Sequence, residues 1–509
     1  MTDIHTLYTV ADIRRIEQAA LATLPSYTLM QRAGKAAAEF AYTLQQERDK
    51  AGRILVLAGP GNNGGDALEA ASQLANAGLD VSIFLASAAE NLPADAQQAL
   101  KRAKTGKATF LETVDTATLD TTDWALVIDG LFGIGLTRAI TGSTHDLIAA
   151  INTLPCQILA LDVPSGLNAD TGAIVGEDAG IAIQATHTIT FIGNKPGLHT
   201  CEGRDHAGEV SVASLDIAED LFQPSLMQLS HTELFSTTLR PRRHNSNKGS
   251  YGDVSILGGA HGMVGAAVLA ARSAAKCGAG RVFITSLAES ITYDNQQAEL
   301  MCRLAGNMDY ESTTTVAGPG LGTSRPAHDC LTRAIVANTP LVLDADALNL
   351  IAVESGLRQK LLLRHAPTIL TPHPLEAARL LGITTQQVQA DRLAAARTLA
   401  VTFHATTILK GSGTVIATPD GDIVINTTGN PALATAGSGD VLAGLCGALL
   451  AQNYPAWEAA VAAVWLHGKA ADELVGNGIG PIGLTASELI PEIRSILNRL
   501  VYAKPARTN

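Results

Sequence analysis

Asp440 stands where a carboxylate can do chemistry. It follows Gly437-Ser438-Gly439 and precedes the apolar run Val441-Leu442-Ala443-Gly444-Leu445, the pattern of a Gly-rich loop opening into a helix. Backbone N–H groups at such a start can hold an anion while the carboxylate meets a hydroxyl. Phosphoryl transfer needs that pair: a base for the nucleophile and a cradle for developing negative charge. An Asp in this place is also a common helix N-cap, and the motif by itself supports either role. A second Gly-rich junction, Gly59-Pro60-Gly61-Asn62-Asn63-Gly64-Gly65-Asp66, follows the apolar run Ile54-Leu55-Val56-Leu57-Ala58. Two such loops imply two nucleotide-handling sites, with room for two chemistries.

The earlier loop matches the dinucleotide pattern Gly-x-Gly-x-x-Gly. The next apolar run, however, ends Phe84-Leu85-Ala86-Ser87, without the acidic residue that would take a ribose hydroxyl. An ordinary adenosine-first site is therefore not expected. The carboxamides of Asn62 and Asn63 offer donors and acceptors to a polar ligand or a weakly held cation. Two further apolar runs also end in polar loops, at Asp129-Gly130-Leu131-Phe132-Gly133-Ile134-Gly135 and at Asp162-Val163-Pro164-Ser165-Gly166. Asp129 or Asp162 alone would read as a turn cap. Three polar strand ends together read as a binding site at the carboxyl edge of a parallel sheet.

The later half repeats the logic. Lys410-Gly411-Ser412-Gly413-Thr414 joins two strand-like runs and suits a nucleotide phosphate, although it lacks the P-loop spacing. Gly258 to Ala267, Ala317 to Gly322 and Leu343-Asp344-Ala345-Asp346 are further polar or Gly-rich strand ends. So is Thr371-Pro372-His373-Pro374-Leu375-Glu376, where His373 is bracketed by prolines, which favours a site role.

These loops need a frame to hold them. At 509 residues the chain is too long for one ordinary core, and two large domains are expected. Apolar residues make up 46% but aromatics only 4%, so the cores are built from Ala, Val, Leu and Ile. Continuous apolar runs, alternating with Ala-rich helical stretches, predict an α/β class with parallel sheets. Residues 218–247 break this rhythm, and the boundary is placed at 225/226, giving domains 1–225 and 226–509. Thr406–Gly411 and Thr414–Asn426 read as antiparallel strands turning at Asp420-Gly421. A net charge of −12 argues against a nucleic-acid partner. The six cysteines show no Cys-x-x-Cys spacing, so reduced, structural thiols are expected. No signal peptide is read at Met1–His5 and no apolar stretch reaches spanning length, so a cytoplasmic protein without membrane association is expected. No role is read for His5, His244 or the tail Lys504–Asn509.

The first constellation resembles the NAD(P)H-hydrate epimerase family (the YjeF N-terminal domain), carried by Gly-Pro-Gly-Asn-Asn-Gly-Gly-Asp, Asp-Gly-Leu-Phe-Gly-x-Gly-Leu and Leu-Asp-x-Pro-Ser-Gly over about residues 10–220. The resemblance implies a Rossmann-like fold and interconversion of the R and S hydrates of NADH and NADPH. By the same motifs Asn63, Asp129 and Ser165 would bind potassium. Asn62, Asn63, Gly64, Gly65 and Asp66, Gly133, Ile134, Gly135, Leu136, Thr137, Arg138 and Ala139, and Asp162 would hold the hydrate. Asp162 would shuttle the C6 hydroxyl proton.

The second constellation, over about 235–500, resembles the ribokinase-like ADP-dependent NAD(P)H-hydrate dehydratase family. Here Lys410, Gly411, Ser412, Gly413, Thr414 and Gly439 would bind the nucleotide. Ala266, Gly322 and His373 would contact the hydrate with Asp440, which would be the base. Mg²⁺ would screen the phosphates, with Asp344 and Glu376 as candidate ligands. Ser438 replaces the Ala common in such Gly-Ala-Gly-Asp motifs, and Leu375 stands where many relatives have Gly. The expected ligands are therefore hydrated NADH or NADPH and ADP, in a homo-oligomer as this fold class often forms. The alternative is a ribokinase-like small-molecule kinase fused to a regulatory nucleotide-binding domain.

Overall fold

The computed structural model describes residues 4–46, 52–114, 119, 121–176, 179–287 and 292–502. Met1–Asp3 and the tail 504–509 lie outside the described residues. The chain divides into two compact units, Met1–Gln228 and Leu229–Asn509.

In the first unit seven strands form one sheet: β1 Arg53–Ala58, β2 Val81–Leu85, β3 Thr109–Leu111, β4 Trp124–Gly130, β5 Gln157–Leu161, β6 His187–Phe191 and β7 Glu209–Ala213. Their order is β3-β2-β1-β4-β5-β6-β7, and every neighbouring pair is parallel. Alternate residues of β1 enter different cores. Ile54, Val56 and Ala58 pack with the helices Val10–Leu21, Thr28–Gln46, Asn62–Asn76 and Ala94–Thr105. Leu55 and Leu57 pack with Leu147, Ile148 and Ile151 of the helix Ser143–Ile151. Covering on both faces is why these strands read as unbroken apolar runs. The strand order reverses between β1 and β4, and ligand sites in such sheets lie at that switch.

The helix after the Gly59 loop starts within the motif, at Asn62, so Asn62 and Asn63 lie in its first turn. The connection is that short because Gly59 lets the chain pass against the β4 loop: a Cβ on Gly59 would fall 1.7 Å from the Leu131 carbonyl oxygen. β3, β6 and β7 carry no clear apolar run. β6 alternates threonine with apolar residues, yet Thr188 and Thr190 are fully buried; Thr188 Oγ1 donates to the Ala207 carbonyl at 2.6 Å.

The second sheet has ten strands: β8 Met227–Leu229, at one edge and spanning the point where the chain passes from one unit to the next, then β9 Asp253–Gly258, β10 Arg281–Ser286, β11 Met301–Leu304, β12 Thr314–Ala317, β13 Leu341–Leu343, β14 Thr368–Leu370, β15 Thr406–Leu409, β16 Val415–Ala417 and β17 Ile423–Ile425. The order is β11-β10-β9-β12-β13-β14-β15-β16-β17-β8, with its own switch between β9 and β12. Strands β9 to β15 pair in parallel, whereas β15-β16-β17 are antiparallel and turn at Gly421, where φ is +103°. Val254, Ile256, Val316 and Val342 pack with the helices Val264–Lys276, Ser438–Ala451, Ala456–Gly476 and Ala486–Tyr502. This is the α/β class expected for both halves. All six cysteines are free, and no described helix is long and apolar enough to cross a membrane.

The helix bearing Asp440 sits against the helix Val264–Lys276 through Gly444, whose Cβ position would lie 2.1 Å from the Ala270 carbonyl oxygen. Gly444→Ala is therefore expected to push the two helices apart and destabilise the unit by about 1–3 kcal/mol, measured as a lower midpoint in denaturant unfolding.

Two candidate active sites

The first site is a cavity of about 580 Å³ at the β1/β4 switch. Asn62, Asn63 and Asp66 line it from the first turns of their helix, residues 133–138 from the loop after β4, and Asp162 from the end of β5. The helical period places Gly64 and Gly65 elsewhere. A Cβ on Gly64 would lie 2.1 Å from the Gly59 carbonyl oxygen, and one on Gly65 would lie 2.5 Å from Met30 Cε. These two glycines serve close packing, and they do not line the cavity. Ala139 is also outside the lining and packs beside Gly176. The cavity gains residues that the motifs did not announce: Arg14 and Glu17 from the helix Val10–Leu21, and Phe191 and Ile192 at the end of β6.

Asp162 has φ +66°, in the left-handed region. Its Oδ1 accepts from Lys195 Nζ at 2.6 Å, from the Phe191 N–H at 3.2 Å and from Thr190 Oγ1 at 3.4 Å. Lys195 is fully buried. Sequence reasoning missed it because it sits in the turn after β6, a strand without a legible pattern. Asp66, also at the cavity, has its carboxyl pushed well above the usual range by burial and then by Asp162, Glu17 and Glu69. Burial, with Asp162 next, also raises Glu17.

Asp129 lies behind the cavity wall and is fully buried. Its carboxylate accepts from Ser165 Oγ at 2.7 Å, Ser165 N–H at 2.8 Å and Leu131 N–H at 3.1 Å. Burial raises its pKa to about 6 against the pull of those three bonds. Asn63 is nearly buried, and neither its side-chain oxygen nor its nitrogen has a partner among the described residues. An orphaned carboxamide oxygen, a buried carboxylate and a serine form a hard oxygen set suited to a weakly held cation.

The second site gathers the carboxyl ends of β9, β12, β13, β14 and β15. Asp440 lies in the first turn of the helix Ser438–Ala451, but the N-cap is Gly437, at φ +90°, with no side-chain cap bond. The capping alternative for Asp440 therefore falls away, and its carboxylate is left for the site. Lys410 Nζ donates to Asp344 Oδ1 at 2.7 Å and would lie 3.4 Å from a Cβ on Gly439. Lys410 thus brings the expected nucleotide loop to the helix start. Burial alone would lower the Lys410 pKa, yet Asp344, Glu376 and Asp440 outweigh it and hold it above the ordinary value.

Arg392, another residue without a sequence signal, is 1% exposed and lies under the loop. It donates to the carbonyls of Leu409 at 3.1 Å and Lys410 at 3.2 Å. Gly411, at φ +144°, leaves no room there for a side chain: its Cβ would meet the guanidinium at 2.7 Å. Thr414 Oγ1 closes the loop by donating to the Gly411 carbonyl at 3.0 Å. Ser412 and Gly413 complete it.

Ala266 stands in the first turn of the helix Val264–Lys276. Gly322, at φ +71°, donates its N–H to Asp346 Oδ2 at 2.8 Å. His373 is the N-cap of the helix Pro374–Leu381, its Nδ1 accepting from the N–H groups of Leu375 and Glu376 at 3.2 and 3.4 Å. Its imidazole pKa is lowered, first by burial and then by Lys410. A neutral ring with an accepting Nδ1 is what the cap requires. The candidate magnesium ligands are already engaged. Asp344 Oδ1 also accepts from Thr371 Oγ1 at 2.8 Å, and Glu376 Oε2 accepts from the His373 N–H at 2.8 Å. Among the described residues no three His, Cys, Asp or Glu side chains form a chelating group.

Burial, with Asp344 and Asp346 adding to it against Lys410, raises the Asp440 pKa to about 7. The folded chain then holds a proton that the unfolded chain has released, so stability falls as pH rises from the ordinary carboxyl range through about 7. Asp440→Asn is expected to raise the thermal midpoint at pH 8 and to change it much less at pH 5, by calorimetry at both values.

Residues 26–197 match the YjeF-related protein N-terminus family, and residues 254–494 match the NAD(P)H-hydrate dehydratase family. The chain is 36% identical over 502 residues to the bifunctional NAD(P)H-hydrate repair enzyme Nnr of Coxiella burnetii, covering 97% of this chain and 99% of that one. It is 36% identical over 510 residues to the protein of the same name from Escherichia coli, covering 98% and 95%. Among solved structures it is similar to the ADP/ATP-dependent NAD(P)H-hydrate dehydratase of Bacillus subtilis, co-crystallised with ATP and Mg²⁺. That likeness has 31% identity, 53% coverage of this chain, 97% of that one and a TM-score of 0.48. With relatives this similar along its whole length, and each unit matched by one of the two component families, the chain belongs to the family of bifunctional NAD(P)H-hydrate repair enzymes.

Proposed function

We propose that the first unit interconverts the R and S hydrates of NADH and NADPH, and that the second dehydrates the S form at the expense of ADP. The observation that carries this reading is the similarity of the chain, end to end, to enzymes named for both activities. The kinase alternative would leave the first unit without a reaction.

In the first unit, Asn62, Asp66, Asp162 and residues 133–138 form the hydrate pocket. Epimerisation at C6 requires the hydroxyl to leave and return, or the ring to open and close. Asp162, at the cavity wall, carries the hydroxyl proton between the two forms. Asn63, Asp129 and Ser165 would hold potassium, which would supply a fixed positive charge.

In the second unit, Lys410 to Thr414 and Gly439 bind ADP, while Ala266, Gly322 and His373 contact the hydrate. Asp440 accepts the C6 hydroxyl proton, and the oxygen attacks the terminal phosphorus of ADP, releasing AMP. The nitrogen lone pair then expels phosphate from C6, and loss of a proton from C5 restores the reduced nicotinamide. A base with a pKa of about 7 is poised for that first step near neutral pH. Because Asp344 and Glu376 are engaged within the protein, Mg²⁺ enters this reading with the nucleotide, and no step depends on their ligation.

The test is recovery of nicotinamide absorbance from mixed R and S hydrates of NADH with ADP and Mg²⁺. The wild-type chain is expected to recover the whole mixture. Asp162→Ala should consume the S share at the wild-type rate and leave the R share to spontaneous epimerisation. Asp440→Asn should slow recovery by about 10²–10⁴-fold. No recovery with ADP or ATP overturns the reading, and a stable phosphorylated alcohol as product restores the kinase alternative. Asn63→Ala is expected to remove any dependence of the epimerase rate on K⁺ over Na⁺, in the same assay with the cation exchanged.

A further inference from the structure

Lys195 is not among the residues that line the first-unit cavity, and it is fully buried. A buried ammonium is costly unless every donor is used, and here all are. Nζ lies 2.6 Å from Asp162 Oδ1, 2.8 Å from Thr190 Oγ1, 2.9 Å from the Phe191 carbonyl oxygen and 3.3 Å from that of Gly193. The two carbonyls and the hydroxyl belong to β6 and the turn that follows it, so the cation ties the end of β5 to the end of β6.

The bonds at Asp162 are one-sided. Lys195, the Phe191 N–H and Thr190 Oγ1 all reach Oδ1. Oδ2 accepts from no donor among the described residues. It lies 3.5 Å from the point that a Cβ on Gly133 would occupy, and Gly133 lines the cavity. The backbone of Asp162 is held at φ +66°, a conformation that a non-glycine residue adopts only when its surroundings enforce it.

We propose that Lys195 is the positioning residue of the epimerase site: by anchoring Oδ1 of Asp162 from behind, it leaves Oδ2 as the oxygen that takes and returns the C6 hydroxyl proton, across the gap left by Gly133. The inference rests on the reading of Asp162 as the epimerase base. It adds that the oxygens of that base are not equivalent and that a residue out of reach of substrate decides which one reacts. The proton moves from the hydroxyl to Oδ2 and back, so nothing is consumed. The ammonium keeps its three protons throughout.

The test is a double-mutant cycle in the full chain, with Lys195→Met, Asp162→Asn and the pair, following kcat and KM for the R hydrate. Dehydration of pure S hydrate in the same samples reports that the second unit is intact, and circular dichroism with thermal unfolding reports the first. Lys195→Met is expected to lower the epimerase kcat by about 10²-fold, the scale of a displaced reacting group, with KM changed less than about threefold. In the Asp162→Asn background it should cost nothing further, because its effect passes through Asp162. Lys195→Arg, which keeps the charge, should recover part of the rate. If Lys195→Met unfolds the first unit, Thr190→Val removes one anchor and should give a smaller loss of kcat with the same dependence on Asp162. An unchanged kcat, or a loss of equal size with and without Asp162, overturns the proposal. An Asp162→Asn chain that epimerises at the wild-type rate overturns instead the reading on which it rests.

Discussion

Both units depend on how closely two strand ends can approach where a parallel sheet reverses its order. In the first, the chain leaving β1 at Gly59 passes the loop after β4 with no room for a Cβ. In the second, a Cβ on Gly258 at the end of β9 would lie 2.0 Å from the carbonyl oxygen of Pro319, just beyond β12. At each switch the helices diverge to opposite faces while the backbones stay in contact. The result is a crevice floored by main chain and walled by strand-end side chains. A side chain at either glycine would wedge the crevice open and carry the neighbouring carboxylates away from each other.

Into these crevices both units bring more carboxylates than nearby cations neutralise, and each pairs one lysine with one of them. Lys195 takes Asp162 in the first unit and Lys410 takes Asp344 in the second. Asp66 and Asp440, left without a direct cation, are among the carboxyls whose proton affinity rises. Desolvation is the largest cause in both, with neighbouring carboxylates adding to it.

The sequence was most legible where one physical demand dominated. Apolar runs marked β1, β4, β5, β9 and β13 because strands buried on both faces tolerate little else, and glycine-rich junctions marked the strand ends because backbone contact there excludes side chains. It was least legible where polar residues are buried by design. Thr188 and Thr190 hide β6, and with it Lys195; Arg392 reads as an ordinary helical surface charge until the loop it supports is folded over it. The motifs also blur packing with contact. Gly64 and Gly65 belong to the same signature as Asn62 and Asn63, but helical geometry turns them toward neighbouring backbone and Met30 and away from the cavity. The assignment of potassium to particular residues came from family resemblance, whereas the loop Lys410 to Thr414 was legible as a nucleotide-phosphate loop from its own residues.

The helix that begins at Ser438 is buried at every position from Val441 to Ala451. The Asp440 carboxylate is thereby mounted on a deeply enclosed shaft, with no solvent-facing turn beyond it to absorb a change. Such a mounting suppresses thermal wander of the group at its tip. It also ties the whole shaft to the position of that group: an added methyl several turns away finds no free space and is passed along the helix as a displacement. Substitutions along the shaft therefore bear on where Asp440 is held as well as on the stability of the unit.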